Sequence, residues 1–524
     1  MEGMDVVRDE PAFHVAVIGS GVACSLTLLA LLDELKSSPA RSPIRIAVIE
    51  KDAEFWRGVP YGGRSSPNAL IITKLAEFVP DDEHDAFVAW LAEHEEQWTA
   101  RMQRANPSVA GHWLARNQAS IRAGRWDEVF IPRVTYGDFI EQRVNGAVEA
   151  AARAGRATVS RVQGEVVGLA RLKAGFELTL AGSSPKLEAG LVVLAIGSPP
   201  VRSVLPTGVE PGFAYVNDAY DPGMGANLAA IRTILAARAA RAERNVLVVG
   251  SNATSIELCY HIANDPGFRQ DLNRLVTISL GGAFPRPMTR DDDRKGHFPA
   301  MEALSARVSI SPDDVIVAAE SDIHALDRGA VPEIGDRLHH LSRLLVEQLS
   351  RLPVEAQRDF HHRHGMRFTR LIRRAGADYS DAVKELAAAH VLTALKGSLV
   401  ALRPGGGSGM ASLIYRPDGG SQDETFGMEF CAVINTGGFE DLSETSSSPL
   451  IADLVRSGLA RVNPTRRGFV VDDRFRAGEG LYVNGPLLGG IFNARKQMWH
   501  VENVRRIHDI AGDLGSEIAQ SLSA

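Results

Sequence analysis

Between Val15 and Leu32 the sequence carries no charged residue, and Gly19-Ser20-Gly21 interrupts the run near its start. A glycine pair there suits a turn better than a continuous helix, so the stretch divides into two elements. Val15 to Ile18 is a short apolar run, the pattern of a strand buried in a parallel sheet. Ser25 to Lys36 has the amphipathic spacing of a helix. Between them Gly19, Gly21 and Cys24 fill the three positions of a G-x-G-x-x-G turn, with Ser20, Val22 and Ala23 interleaved. The first glycine makes the tight turn, and the second lets backbone approach a pyrophosphate. A small third residue lets helix pack on strand, and the helix N-terminus then faces the phosphates. A second strand, Ile44 to Ile49, ends in Glu50-Lys51, where an acid can accept both ribose hydroxyls. This combination predicts a dinucleotide-binding βαβ unit, with Cys24 as a packing residue and not a reactive thiol.

The same uncharged run imitates a membrane segment. Its leader, Met1 to His14, holds four acids and one arginine, the reverse of a secretory signal. A cytoplasmic protein without membrane attachment is therefore expected. Cys24, Cys259 and Cys431 are the only cysteines and form no CxxC, which argues against disulfides and structural zinc. No metal site is expected. A formal charge of −7 without a basic block argues against a nucleic-acid partner. At 524 residues the chain has room for two to four domains.

A second unit opens at mid-chain. Val246 to Val249 is again a buried-strand run, followed by Gly250 and a helical pattern through Ile262. Asn252 replaces the middle glycine, with Ala253 and Ser255 as small residues beyond it. Asparagine tolerates left-handed backbone, so the turn can survive, but its side chain would crowd a pyrophosphate. The next strand, Leu275 to Leu280, ends in Gly281-Gly282 and lacks the paired basic residues that grip a 2′-phosphate. Arg286 and Arg290 follow as substitutes. Two readings stay open: a nicotinamide site at Gly250, Asn252, Ala253 and Arg286, or a βαβ unit that keeps its fold and binds nothing.

Elsewhere, Leu191 to Ile196 runs into Gly197-Ser198-Pro199, Ala432 to Asn435 into Thr436-Gly437-Gly438, and Leu481 to Val483 into Asn484-Gly485. Thr158 to Leu180 alternates like a meander of short strands. Two helical insertions remain, Asp81 to Asp127 and Pro332 to Val391. The second contains His361, His362 and His364, read as a solvated cluster because their spacing does not converge on a metal. Its Arg367, Arg370, Arg373 and Arg374 read either as a grip for a substrate carboxylate or as a solvated face.

The order GSGVAC, WRGVPYG at Trp56 to Gly62, and FVPDDEHDAFVAWL at Phe78 to Leu91 resembles the FAD/NAD(P)-binding proteins related to flavin-dependent N-hydroxylating monooxygenases. IPRVTYGDFI from Ile131, LIRRAGADY from Leu371 and GLYVNGPLLGG from Gly480 extend the likeness over nearly the whole chain. Better-understood members include nitrosuccinate-forming amino-acid N-oxygenases. The resemblance implies an α/β fold of two Rossmann-like dinucleotide-binding domains with helical insertions, the FAD domain being discontinuous. The expected boundaries are 1–205 for the first FAD part (insertion about 81–127), 206–331 for an NAD(P)-binding-like domain, 332–391 for a helical cap and 392–524 for the second FAD part.

The resemblance further implies FAD held by Gly19, Ser20, Gly21, Val22, Ala23, Glu50 and Lys51. Trp56, Gly58 and Gly62 would pass beside the flavin ring, and Gly197, Asn484 and Gly485 would lie close to the cofactor. Two departures stand out. Asn252 and the missing basic pair put NADPH in question, leaving NADPH, NADH or neither. Leu70 to Lys74 replaces a Leu-Asn-Val type run of the relatives.

The implied activity is an FAD-dependent monooxygenase that uses NAD(P)H and O₂ to oxygenate an amine nitrogen of a small amino-acid-like substrate in a biosynthetic pathway. Tyr61 and Lys74, just after the flavin motif, are the candidate catalytic residues. The alternatives are an FAD oxidase or dehydrogenase with a vestigial nicotinamide site, and a catalytically idle flavin-bound partner of a pathway enzyme. Expected partners are the small substrate and O₂, and a homo-oligomer is compatible with the sequence.

Overall fold

The computed structural model describes residues 11–37, 42–182, 186–206, 211–288, 297–328, 337–407 and 409–523. Arg290 and the start of the second helical insertion, 332–336, lie outside them. The chain divides into two compact units: Met1–Gly62, Tyr136–Pro200 and Glu440–Ala524 form the first, Gly63–Thr135 and Val201–Phe439 the second.

The first unit is built on Phe13–Ile18, which pairs in parallel with Ile44–Glu50 on one side and Leu187–Leu194 on the other. Ala157–Gln163 extends the sheet beyond Ile44–Glu50, and Leu481–Val483 extends it beyond Leu187–Leu194. Val15 to Ile18 are at most 4% exposed, as a strand covered on both faces requires. Phe176–Leu180 joins Leu187–Leu194 antiparallel and pairs with Val166–Arg171, so the alternating stretch supplies one parallel strand and one hairpin. The helix Val22–Lys36 packs on the C-terminal helix Val504–Ser523, where a Cβ on Gly515 would come within 2.8 Å of Ala30 Cβ. Glycine there brings the two backbones together.

The second unit repeats the plan. Asn245–Val249 lies between Arg274–Ser279 and Ala432–Asn435, all parallel, with Leu392–Pro404 beyond the first and Ala214–Val216 beyond the second. Ala411–Pro417 and Glu424–Phe430 add antiparallel strands to the far edge. Both units are therefore Rossmann-type parallel sheets, each entered through an antiparallel ribbon.

The division differs from the expected boundaries. Residues 392–439 belong to the second unit, because Leu392 to Lys396 pairs with Leu275 to Ser279 and Ala432 to Asn435 pairs with Val246 to Val249. The first helical insertion, with helices Asp81–Glu93, Glu95–Ala105 and Pro107–Arg122, also belongs to the second unit. Its Trp98 and Trp113 are buried edge to face, 5.8 Å between centroids.

The histidine cluster is not solvated as expected. His361 and His364 are buried on the helix Val354–Ile372, and His364 Nε2 lies 3.0 Å from Asp313. No helix among the described residues is long and apolar enough to cross a membrane.

Candidate functional site

The glycine turn of the first unit is fixed by backbone contacts. Gly19 has φ +90°, its N–H donates to Ile49 O at 2.8 Å, and a Cβ on it would stand 2.5 Å from Ala195 O. Only glycine fits there. Gly21 has an ordinary φ of −74°, and a Cβ placed on it would lie 3.4 Å from Gly58 Cα, an ordinary contact, so nothing within the chain itself demands glycine there. Gly58, at φ +66°, would in turn put a Cβ 2.9 Å from Gly21 Cα.

Trp56 seats this glycine-on-glycine contact. It is 1% exposed at φ +77°, its Nε1 donates to Asn145 at 3.0 Å, and its carbonyl accepts from Ser25 Oγ at 2.8 Å. Arg57 ties the same segment to Asp138 at 2.7 Å and to Glu141. A Cβ on Gly62 would meet Gly58 O at 2.7 Å. Tyr61 packs its ring edge to face on the buried Tyr136, 5.6 Å between centroids.

Glu50 reaches the turn from the neighbouring strand. Its Oε2 accepts from Ser20 N–H at 2.8 Å and Ser20 Oγ at 3.1 Å, and its Oε1 from Asp52 N–H at 3.1 Å. Lys51 beside it is exposed. Val22, Ala23 and Cys24 are buried in the start of the helix. Burial, with Glu50 adding to it, raises the Cys24 thiol far above its ordinary value, so no nucleophilic thiolate forms there. The helix starts with no side-chain cap and no acid in its first turn, so its amide dipoles face outward. An anion is the natural complement to such an end. With the side-chain-free face of Gly21 and the strand-end acid, this cradle fits a dinucleotide.

Two further residues expected close to the cofactor have defined local settings. Asn484 turns inward, donating to Thr27 Oγ1 at 2.8 Å and accepting from Gly485 N–H at 2.7 Å. Its amide therefore pins the last strand's turn to the helix Val22–Lys36, while Gly485, at φ +88°, rests against Ala23. Gly197, at φ +78°, faces open space.

The second unit repeats the backbone hydrogen bond and the positive φ of the first turn. Gly250, at φ +114°, donates to Ile278 O at 2.8 Å, and a Cβ on it would stand 2.6 Å from Thr436 O. Asn252 has φ −93°, so no left-handed backbone is needed and any residue could form this turn. Its side-chain oxygen instead accepts from the Arg373 guanidinium. Ala253 is exposed beside it. Arg286–Pro287 pairs with Arg374–Ala375, so backbone hydrogen bonds hold Arg286 next to Arg373 and Arg374. Arg374 pairs with Glu77 at 3.5 Å and Arg367 with Glu320. Lys74, the other candidate catalytic residue, belongs to this unit and precedes the short helix Leu75–Phe78.

A buried polar group in the second unit has no local sequence signature. Arg133 meets Glu257 through two nitrogens, at 3.0 and 3.2 Å, and its Nε donates to Ser65 at 2.9 Å. Tyr220 donates to Glu257 at 3.0 Å, and Tyr379 bonds both N–H and O of Leu70 at 2.7 and 2.9 Å. Burial works against the Arg133 charge, but Glu257 outweighs it and holds the guanidinium above its ordinary pKa. Only the motif stretches containing Arg133 and Tyr379 hint at this group; nothing local marks Glu257.

Residues 16–199 match the family described as FAD-NAD(P)-binding. The uncharacterized protein Rv3403c of Mycobacterium tuberculosis (strain ATCC 25618 / H37Rv) is 36% identical over 517 residues, covering 98% of this chain and 96% of that protein. The uncharacterized protein Mb3437c of Mycobacterium bovis gives the same values, 36% identity over 98% and 96% of the two chains. Among solved structures, FAD-bound DfoA, the desferrioxamine biosynthetic pathway cadaverine monooxygenase from Erwinia amylovora, aligns at a TM-score of 0.54. It covers 97% of this chain and 94% of its own at 12% identity, a likeness of fold.

Proposed function

This chain belongs to the FAD/NAD(P)-binding protein family that includes its two mycobacterial relatives, and from that premise we propose that it is an FAD-dependent monooxygenase acting on an amine. The observation that carries the reading is the repeated turn: Gly19 and Gly250 each donate to the adjacent strand, at 2.8 Å in both units. One chain thus holds two dinucleotide folds, as a flavoprotein reduced by a nicotinamide cofactor requires. FAD is assigned to the first unit and NAD(P)H to the second.

Bound there, FAD would supply electron uptake from NAD(P)H and activation of O₂ for transfer of one oxygen to nitrogen. The protein's part is to hold and exclude. The amides of Gly19 to Ala23 would hold the pyrophosphate, and the Glu50 carboxylate, now bonded to Ser20, would accept the ribose hydroxyls. Gly58, seated by the buried Trp56, would leave the wall of the site free of a side chain at its contact with Gly21, and Gly62 closes the same segment against Gly58 O. Tyr61 and Lys74 are assigned to the reacting side, where a base must keep the amine neutral for attack. The fold neighbour DfoA is a cadaverine monooxygenase, which supports an amine as substrate. A biosynthetic role in the cytoplasm accords with this chemistry.

The oxidase reading, with an idle second unit, draws on one observation: Asn252 and Arg373 meet at the turn where a glycine face would otherwise lie. Oxygen uptake with a panel of small amines and amino acids separates the two. The monooxygenase reading expects NAD(P)H-fuelled uptake that an amine stimulates, with hydroxylamine product. Uptake that needs no NAD(P)H and returns all oxygen as hydrogen peroxide would establish the oxidase. Lys74→Ala and Tyr61→Phe should increase peroxide leakage, and unchanged leakage removes both from the reacting side.

A further inference from the structure

We propose that Tyr136 and Gly137 are the positioning residues of Tyr61, one fixing its ring and the other its backbone. The proposal rests on the reading of Tyr61 as a residue of the reacting side. The stretch IPRVTYGDFI leads into the helix Val134–Arg153, and one face of that helix is the bed on which WRGVPYG lies. The two segments run in opposite directions. Trp56 Nε1 donates to Asn145 at 3.0 Å, and Arg57 Nε donates to Glu141 at 2.8 Å with its other nitrogens reaching Asp138 and Glu141. Tyr61, at the far end of the loop, meets Gly137 and Tyr136. Gly137, Glu141 and Asn145 are spaced four apart, which puts them on one side of the helix. All of these residues belong to the first unit.

Nothing in the helix itself calls for glycine at 137. Its φ is not positive, and alanine is the better helix former at such a position. The demand comes from the loop: a Cβ on Gly137 would stand 2.2 Å from Tyr61 O and 3.0 Å from Tyr61 C. Both are backbone atoms, so no change of rotamer relieves the collision. Gly146, on the same helix, is the contrast, because it is exposed and a Cβ there meets nothing within 4 Å.

Tyr136 completes the seat. It is buried, and its ring takes the Tyr61 ring edge to face, 5.6 Å between centroids and 67° between planes. Gly58 and Tyr61 are the two ends of one short helical turn, and Gly58 is the residue that rests on Gly21. The same turn therefore touches the dinucleotide cradle at one end and is set by Tyr136 and Gly137 at the other. A misplacement of about 1 Å at a reacting group can cost on the order of a hundredfold in rate, so the fit at Gly137 bears on chemistry and not on folding alone.

Two readouts on the FAD-loaded protein test this: flavin emission per bound FAD, which needs no turnover, and hydrogen peroxide released with NADPH or NADH in the absence of amine. A tyrosine ring beside a flavin quenches its emission, so Tyr61→Ala should raise both. Gly137→Ala and Tyr136→Leu should each raise both by about twofold or more, while Gly146→Ala stays at the wild-type level. Because the effect passes through the residue at 61, Gly137→Ala combined with Tyr61→Ala should match Tyr61→Ala alone. Should Gly137→Ala fail to retain FAD, Tyr136→Leu and its combination with Tyr61→Ala carry the same comparison. Wild-type values in either positioning variant, or effects that add to those of Tyr61→Ala, overturn the proposal and leave Tyr61 in its role. Wild-type values in Tyr61→Ala remove Tyr61 from the reacting side and the positioning role with it.

Discussion

Gly58 carries no side chain because its Cα rests on Gly21 across the dinucleotide turn. Gly58→Ala therefore meets two obstacles at once. A left-handed φ of +66° disfavours any residue with a Cβ, and that Cβ would stand 2.9 Å from Gly21 Cα. The backbone cost alone is about 1–2 kcal/mol, and relief of the clash must move the wall of the turn. The variant should fold with a lower melting temperature and retain a minor fraction of the wild-type FAD, read from the flavin-to-protein absorbance ratio. Wild-type FAD content would show that the glycine contact does not shape the site.

At this scale the sequence was informative where the chemistry is local. Gly19 and Glu50 were readable because a tight turn and a strand-end acid each lie within one short motif. The contact of Gly58 with Gly21 joins separate motifs, so its steric demand was invisible. The hydrogen bond from Asn484 to Thr27 is illegible for a related reason: its two residues lie near opposite ends of the chain.

The helix Ala253–Asn264 shows what an element adds to its residues. Glu257 and His261, one turn apart, are both buried. Glu257 has Arg133 as its partner, whereas His261 Nε2 has no hydrogen-bond partner among the described residues. Burial, with Arg133 adding to it, pushes His261 from 6.5 down to about 4. The native ring is therefore neutral, while the unfolded ring takes up a proton as pH falls below 6.5. The depressed native value places its stabilising contribution above pH 6.5, with progressive loss toward pH 4. The loss should reach about 3 kcal/mol in urea unfolding across that window. His261→Leu should flatten the dependence by that amount, and an unaltered pH profile would contradict the assignment.

The elements themselves follow from apolar periodicity, but one end fell a residue away from expectation. The strand read as Leu275 to Leu280 is Arg274–Ser279. Ser279 thus stands at the strand tip, as Glu50 does in the first unit, and Gly281-Gly282 lies beyond it. An exposed Leu280 continues the apolar run past the sheet, and only hydrogen bonding marks the true end.

On the scale of the whole chain, two parallel sheets and a split first unit were legible from the two strand–turn–helix motifs and the family likeness. The assignment of Leu392–Pro404 was not. Its residues specify a strand without naming a partner, and pairing with Arg274–Ser279 places it in the second unit. The same holds for the tryptophan-bearing helices, whose apolar faces are readable but whose destination is not.

In the proposed function the first unit holds FAD and the second supplies electrons to it from NAD(P)H. Mixing the FAD-loaded protein with NADPH or NADH under strict anaerobiosis, while following the flavin absorbance, tests it most directly. Bleaching by NADPH or NADH in the absence of oxygen and amine is expected. A flavin that stays oxidised with both would contradict it.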